Sequence, residues 1–591
     1  MTDSGYRWKS ILVSLGVMAI WLGLFVRLGW LHLGPNTSLK AKVERLHHLD
    51  QELTSRRGRI FDRRGNLLAQ DLPIQDIHID PKVLQSNHTT RIVSVHLERL
   101  LGVPRAETLA RANKPNRRDE TIARNLSDAE AGKVLRLRMP GVFARSSEKR
   151  HYPLENEACH VIGFSNAEGV GSAGIEQRYD DMLQGRSGLR KSQRDGRHRE
   201  LYTRRTLEIL PEAGADVHLT LDQTIQHYAE RGMDHAIAEY HCDAAWTIVE
   251  DVRTGQILAM ACRPAYDLNA YPASTAEQRR NRAVSVNYEP GSVFKTLTVA
   301  AGINEGLIAT NDVFDCEMGR WTYLGRPLKD FHPYGELDVT GILRKSSNVG
   351  AAKIAVMVGE KKLDTYLRAF GIGRRTGIEL PGEEAGLLAP VNRWSKLDIT
   401  RIAMGHTVAV TALQILNALC CIGNDGILMQ PYIVSKVVDA NGTVLAEHRP
   451  RAVGRPITER TARLMREMLV SVTQPGGTGT RAAIEGYAIA GKTGSAEKLE
   501  NGHYSKTKNM ASFMGLIPAD KPQIGIVVVL DNPHPLRTGG VSAAPVFRYI
   551  AEPVVHYLDI RPADASDTLH YVPAPDGEGW EPAPEGAVDV P

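Results

Sequence analysis

The sequence predicts an α+β protein held by one N-terminal membrane helix, with a β-containing module ahead of a larger domain in which strands bracket a helical middle. Three observations carry this. Residues 11–26, ILVSLGVMAIWLGLFV, hold no charge, and no later run approaches membrane length. Strand-like runs at Ala245–Asp251 and Gln256–Ala261 flank an Arg253-Thr254-Gly255 turn, and Ala511–Leu516 and Ile524–Leu530 continue the pattern near the C-terminus. Between them, 293–305, 338–370 and 408–423 carry helical spacing.

The anchor comes first. After Arg27 the apolar character resumes as LGWLHL, so Arg27 can snorkel to the headgroups while Trp30 sits at the interface. No small-residue cleavage site follows in HLGPNTS, which favours an uncleaved anchor over a signal peptide. Arg7 and Lys9 precede the span while Arg27, Lys40, Lys42 and Arg45 follow it, so the charge count leaves its orientation open. Residues 35–52 read as a helical stalk. Arg57–Ala69 reads as a charged hairpin, 85–150 as helices, and the module ends near residue 210. Val217–Asp222 then forms a strand before an amphipathic helix over 223–240, and a late strand is expected at Tyr487–Ile489. From Arg561 the chain holds six Pro, seven Asp or Glu and one basic residue, a disordered composition. No internal repeat is present.

Composition narrows the function. With 591 residues, 42% apolar and 24% charged, the chain is ordinary folded protein of about four domains' length rather than collagen-like or disordered. A net charge of +4 gives no electrostatic reason to expect nucleic acid. Six cysteines without a CxxC pair read as buried thiols, neither a disulfide scaffold nor a zinc site.

Three elements could build an active site. In Glu289-Pro290-Gly291-Ser292-Val293-Phe294-Lys295, a helix beginning after Gly291 puts Ser292 and Lys295 on one face, where a neutral lysine could take the serine proton. A capping serine beside an exposed lysine is the plainer alternative. Ser346-Ser347-Asn348 lies between two helical stretches; it could cap the second helix, or Ser346 could relay a proton while the Asn348 amide holds a substrate carbonyl. Lys492-Thr493-Gly494-Ser495 on a strand would put Lys492 and Gly494 on one side, the lysine a fixed cation and the glycine leaving room for a substrate backbone. Gly486–Thr493 also satisfies G-x-x-x-x-G-K-[ST], but it lacks a preceding strand and a following helix, so ATP is not expected.

Taken in order, Ser-x-x-Lys at 292, Ser-x-Asn at 346 and Lys-Thr-Gly-Ser at 492 resemble the three signatures of penicillin-recognising serine acyltransferases. The Arg57–Ala69 hairpin, Gly174-Ile175-Glu176 and Leu183-Gln184-Gly185 resemble the non-catalytic module of class B penicillin-binding proteins. Glu289-Pro290-Gly291 and Gln474–Gly479 look more like the division type (FtsI-like, penicillin-binding protein 3) than the elongation type. The resemblance covers about residues 10–555. It implies a cytoplasmic tail over 1–10, a transmembrane anchor over 11–33, an elongated pedestal or dimerisation module over 34–210, and a serine β-lactamase-like transpeptidase domain over 211–560, with the acidic tail at 561–591.

It implies also a peptidoglycan D,D-transpeptidase on the outer, periplasmic side of the inner membrane, acting on stem peptides, inhibited by β-lactams and working with a lipid-II polymerase and divisome proteins. Ser292 would be the nucleophile, Lys295 the base, Ser346 the shuttle and Asn348 a donor-peptide ligand. Lys492 would hold the proton relay and the electrostatics of the carboxylate site, Thr493, Gly494 and Ser495 would bind substrate, and the Ser292 and Ser495 N–H groups would form the oxyanion hole. No metal or organic cofactor is implied. Ser495, Thr407 and Ala412 stand where threonine, glycine and proline are usual. An elongation-type enzyme, a D,D-carboxypeptidase or β-lactamase, and a penicillin-binding scaffold without turnover stay open.

Overall fold

The computed structural model describes residues 4–33, 48–114, 117–194, 200–201, 203, 205–500, 503–535 and 538–562. The expected acidic tail lies outside these residues from 563 onward. The chain divides into two compact units, residues 1–55 with 185–213, and residues 56–184 with 214–591.

In the first unit, helix α1 (Ser4–Leu33) includes a 26-residue apolar stretch, Arg7–His32, about 39 Å long at the α-helical rise and therefore able to cross a bilayer. Gly188–Arg194 pairs antiparallel with His48–Leu53, Glu200–Leu201 and Leu207–Ile209. Of the helical stalk expected over 35–52, residues 34–47 lie outside the described residues and 48–53 form a strand instead. The reason is non-local: His48 lies opposite Gln193, a partner that local periodicity cannot reveal.

The second unit opens with the expected hairpin, β1 (Ile60–Phe61) and β2 (Leu67–Ile79), its turn gathered by the Asp62 carboxylate, which accepts the Arg64 and Asn66 N–H groups at 2.8 and 2.7 Å. Helices α2 (Thr90–Leu101) and α3 (Asp128–Leu135) follow, with Val93, Leu97, Ala131 and Val134 packed against Ile77 and Ile79 of β2. The expectation of helices alone over 85–150 needs correcting, because β3 (Glu120–Leu126) and β4 (Val142–His151) both pair with β2. Their outer positions carry Arg and Lys, which hides the period of two. β1 also runs parallel to β5 (Asp216–Leu219), which continues through Val434–Val438 and Val444–Glu447 into a seven-stranded sheet. This sheet therefore crosses the position near 210 where the sequence places a boundary. Asp222 caps α4 (Gln223–Tyr240), the expected helix, by accepting the Thr224 N–H at 3.1 Å.

A second, antiparallel sheet carries the site. β6 (Ala244–Asp251) and β7 (Ile257–Arg263) form the expected hairpin, and β8 (Ala490–Glu500), β9 (His503–Ile517) and β10 (Ile524–Asp531) complete the order β7-β6-β10-β9-β8. The late strand starts at Ala490 rather than Tyr487 and continues through Glu500, because pairing with β9 satisfies its backbone. Between β7 and β8 come α5 (Lys295–Asn304), α6 (Val339–Lys345), α7 (Asn348–Val358) and α8 (Ala412–Gly423), and α9 (Ala543–Tyr557) follows the sheet. Both faces of the sheet are covered. Ile526, Val528 and Leu530 pack with α4 and α9, while Val527 and Val529 join the layer containing α8, so the alternation of a strand serves two cores at once. All six cysteines are buried and unpaired.

One polar residue inside this sheet is poorly supported. Glu250 on β6 is fully buried, no nitrogen or oxygen donor reaches either carboxyl oxygen among the described residues, and the Cys420 thiol offsets only part of its burial. Burial, with Asp251 nearby, pushes its pKa from 4.5 up to about 8. The folded chain thus holds a proton there that the unfolded chain releases, and stability falls as pH rises between those two values. Glu250→Gln should raise stability at pH ~7 by about 3 kcal/mol but leave it nearly unchanged near pH 4.5. Thermal unfolding of both proteins across that range tests this, and a pH-independent difference would refute it.

Candidate active site

The nucleophile candidate sits on a tight turn. Gly291–Phe294 forms one 3-10 turn ahead of α5, and Ser292 on it is half-buried. Gly291 adopts φ +59°, and a Cβ there would lie 2.8 Å from the Ser495 carbonyl oxygen, so the turn lies directly against β8, the edge strand. This brings Ser292 and Ser495 to one place. A Cβ on Gly494 would meet Ser512 Oγ at 2.3 Å and the Pro290 carbonyl oxygen at 2.9 Å. The missing side chain at Gly494 therefore admits the serine turn, where the sequence reading reserved the space for substrate.

Two lysine side chains converge on the Ser346 hydroxyl. Lys295, one turn past Ser292 on α5, sends Nζ to Ser346 Oγ at 3.3 Å, to the Ser346 carbonyl at 2.5 Å and to Asn348 Oδ1 at 2.6 Å. Lys492 on β8 donates from Nζ to the same Ser346 Oγ at 2.9 Å and to the Thr493 carbonyl at 3.1 Å. Both lysines are fully buried. Desolvation lowers the Lys295 pKa to about 7 against the opposing pull of the Asp330 carboxylate. Burial, with the Lys295 charge beside it, holds the Lys492 amine well below its ordinary range. At neutral pH this pair therefore carries amines able to accept a proton. Ser292 Oγ makes no hydrogen bond among the described residues, so its hydroxyl is unengaged, three residues before Lys295.

The fold divides the two readings of Ser346-Ser347-Asn348 between adjacent serines. Ser347 is the cap of α7, accepting the Gly350 N–H at 3.0 Å. Ser346 ends α6 in the left-handed region at φ +61°, a conformation that costs a non-glycine residue about 1 kcal/mol and is retained where its hydroxyl meets both lysines.

The support for this loop was not legible in the sequence. Asp330 accepts from Ser347 Oγ at 2.6 Å, from the Val349 N–H at 3.0 Å and from the Asn348 N–H, placing a carboxylate at the positive end of α7. The Lys329 carbonyl accepts from Asn348 Nδ2 at 2.8 Å, which turns Oδ1 toward Lys295. Asn348, expected as a substrate ligand, is thus also a group that holds the Lys295 amine. Thr493 is buried with its hydroxyl 2.8 Å from that of Thr478, while exposed Ser495 accepts the Gly539 N–H at 3.0 Å through Oγ.

A second supporting carboxylate is Glu289, three residues before Ser292. It accepts the Thr407 N–H at 2.9 Å and the Tyr504 hydroxyl at 3.1 Å, and lies 2.9 Å from His406 Nδ1, joining three segments beside the serine turn. Thr407 stands at φ +57°, which explains why glycine suits that position, and its charge-assisted bond to Glu289 offsets part of the strain. Ala412 is the first residue of α8, where proline would lose no helical bond. Lys492 lies within a paired strand with no helix opening after Thr493, so the nucleotide-loop pattern has no phosphate cradle.

Comparison with known proteins fits this geometry. A family model described as the penicillin binding protein transpeptidase domain matches residues 245–552, and one described as the penicillin-binding protein dimerisation domain matches residues 52–219. The chain is 33% identical to "Probable peptidoglycan D,D-transpeptidase PenA" of Neisseria meningitidis serogroup A, over 95% of this chain and 94% of that protein. It is 33% identical to "Peptidoglycan D,D-transpeptidase FtsI" of Escherichia coli K12, over 94% and 92%. Among solved structures, penicillin binding protein 3 of Mycobacterium tuberculosis complexed with aztreonam matches with a TM-score of 0.68 at 28% identity, over 87% of this chain and 98% of that one. With its two modules in the same order, the chain belongs to the penicillin-binding protein family whose members join a dimerisation domain to a transpeptidase domain.

Proposed function

We propose that this protein is a serine-type peptidoglycan D,D-transpeptidase of the division type, anchored by α1 with the catalytic domain on the periplasmic side of the inner membrane. The observation that carries the reading is the Ser346 hydroxyl held between two buried lysines. Ser292 Oγ gives its proton to neutral Lys295 as it bonds to the penultimate D-Ala carbonyl carbon, and the turn and β8 backbones offer N–H groups to the oxyanion. The C–N bond to the terminal D-Ala then breaks. The leaving nitrogen takes a proton passed through Ser346, with Lys492 setting the charge on that relay. An acceptor amine from a neighbouring stem peptide attacks the ester, loses its proton to the same relay, and releases Ser292 as a cross-link forms. β-Lactams acylate the same serine. The names of the relatives and the division-type motif contexts support the subtype, and a lipid-II polymerase and divisome proteins are the partners this role requires.

A non-catalytic scaffold gives no reason to bury two amines around one hydroxyl, an arrangement that costs stability and is retained where its chemistry is used. The test uses the full chain in detergent with a D-Ala-D-Ala pentapeptide and an acceptor amine. Release of D-Ala should be accompanied by the new amide, whereas D-Ala with hydrolysed tetrapeptide alone would indicate a carboxypeptidase and sink the transfer assignment.

The acylation rate with a penicillin should also follow the Lys295 proton. Its pKa of about 7 leaves the base protonated in acid, so the rate should rise about tenfold per pH unit below that value and level off above it. A rate flat from pH ~5.5 to ~8 would remove Lys295 as the base.

A further inference from the structure

The net charge of +4 conceals two opposed blocks. Residues 81–149 hold fourteen Lys and Arg against seven Asp and Glu, while residues 563–591 hold seven Asp and Glu and no Lys or Arg. The basic block is the lobe formed by β2, β3, β4, α2 and α3. Five of its cations are ion-paired within it: Arg105, Arg111, Lys114, Arg117 and Arg145. The remaining nine are exposed and make no ion pair among the described residues.

This surface is apolar as well as cationic. Because Val93 and Leu97 of α2 face the lobe core, Arg91, Ile92, Val95 and Arg99 turn outward, with Ile92 58% and Val95 41% exposed. Beside the buried Val134, the chain leaving α3 presents Leu135, Arg136, Leu137 and Arg138 to solvent, all exposed. A solvated face needs charge but not this much aliphatic surface interleaved with it. The acidic block has the matching pattern, with its seven carboxylates set among Leu569, Tyr571, Val572 and Trp580.

The structure also places the tail's origin within reach. Tyr557, the last residue of α9, donates its hydroxyl to Asp222 Oδ1 at 2.8 Å, and the Arg64 guanidinium lies 4.6 Å from its ring centre. Arg64 belongs to the turn that opens β2, and β2 runs from there about 40 Å, at ~3.3 Å per residue, to Ile79 in the lobe core. Twenty-nine residues follow Pro562. Such a segment spans up to ~95 Å when extended and ~30 Å as a random coil, so the distance requires no strain.

We propose that residues 563–591 dock in cis on the basic, apolar face of α2 and the α3 terminus, occupying the lobe as an intramolecular anionic ligand. An external polyanion would have to displace it, and tethering raises the tail's effective concentration at the lobe.

Zero-length carbodiimide coupling of the full chain in detergent, read by mass spectrometry, tests this. Amides should join Lys82, Lys133 or Lys149 to carboxylates between Asp564 and Asp589, and should fall several-fold in about 0.5 M NaCl. The double variant Arg136→Glu/Arg138→Glu leaves all three lysines in place and should lose them likewise. Retained acylation by a penicillin would show that this variant is folded. Mixing isotope-labelled with unlabelled chains separates cis links from trans ones. No coupling, coupling indifferent to both salt and charge reversal, or coupling only between labelled and unlabelled chains would overturn the proposal. So would phosphatidylglycerol vesicles that bind the lobe equally with and without residues 563–591, which would make a membrane its partner.

Discussion

Incubated with a penicillin and digested with trypsin, the protein is expected to yield the Ala283–Lys295 peptide heavier by one ring-opened drug, and Ser292→Ala is expected to yield none. The effect should be total because Ser292 presents a half-buried hydroxyl, unengaged among the described residues, three residues before the buried Lys295. Ser346 is also a serine next to an amine, but its Oγ already accepts from Lys492 at 2.9 Å and it holds a strained backbone. Lys295→Ala should keep the site of acylation while slowing it by about 10²–10⁴-fold, the usual contribution of a general base. The companion expectation is persistence of the adduct: a transpeptidase deacylates to an amine, and water is a poor substitute. Label on any other peptide, or label retained in Ser292→Ala, would remove the nucleophile from the mechanism. Rapid loss of the adduct from the wild type would move the reading to a β-lactamase.

What the sequence revealed about this site follows the range of its interactions. Ser292 and Lys295 are one helical turn apart, so their approach is written locally. The strand holding Lys492 is half legible: its apolar lead-in, Tyr487–Ile489, suggested a strand, but the strand itself, Ala490–Glu500, depends on pairing with β9. Asp330 and Glu289 illustrate the remainder. Asp330 reaches Asn348 only because the short hairpin Arg320–Tyr323 with Arg326–Lys329 delivers it to the start of α7, and no spacing rule connects the two. Glu289 stood in plain view beside Gly291, but its partners come from residues more than a hundred positions away, His406, Thr407 and Tyr504. The same limit explains β3, β4 and the strand at 48–53, whose partners are distant strands. Gly494 was legible as a place where a side chain could not be tolerated. What occupies that space, Pro290 and Ser512, was not.

A glycine gives the second large effect. Gly405 carries φ +81°, its carbonyl accepts the Gly291 N–H at 3.2 Å, and a Cβ placed on it would lie 2.2 Å from the Gly291 carbonyl oxygen and 2.6 Å from its nitrogen. These are backbone atoms of the turn that carries Ser292, so no side-chain rotation can make room. Gly405→Ala must move the nucleophile turn or the 405–407 segment, and a shift of about 1 Å in a reacting group costs on the order of 10²-fold in rate. Acylation should therefore fall about that far while the protein stays folded, since the left-handed backbone adds only ~1–2 kcal/mol. Gly442→Ala separates the two causes. Gly442 has φ +86° in an open turn with nothing within 4 Å of an added Cβ, so it carries the same backbone cost without the clash. If both variants lose a little thermal stability and only Gly405→Ala loses acylation, contact with the turn is what positions Ser292. Equal acylation in the two would mean that the turn holds its place without Gly405, and that its position is set from the other side, by Ser495 and Gly494 on β8.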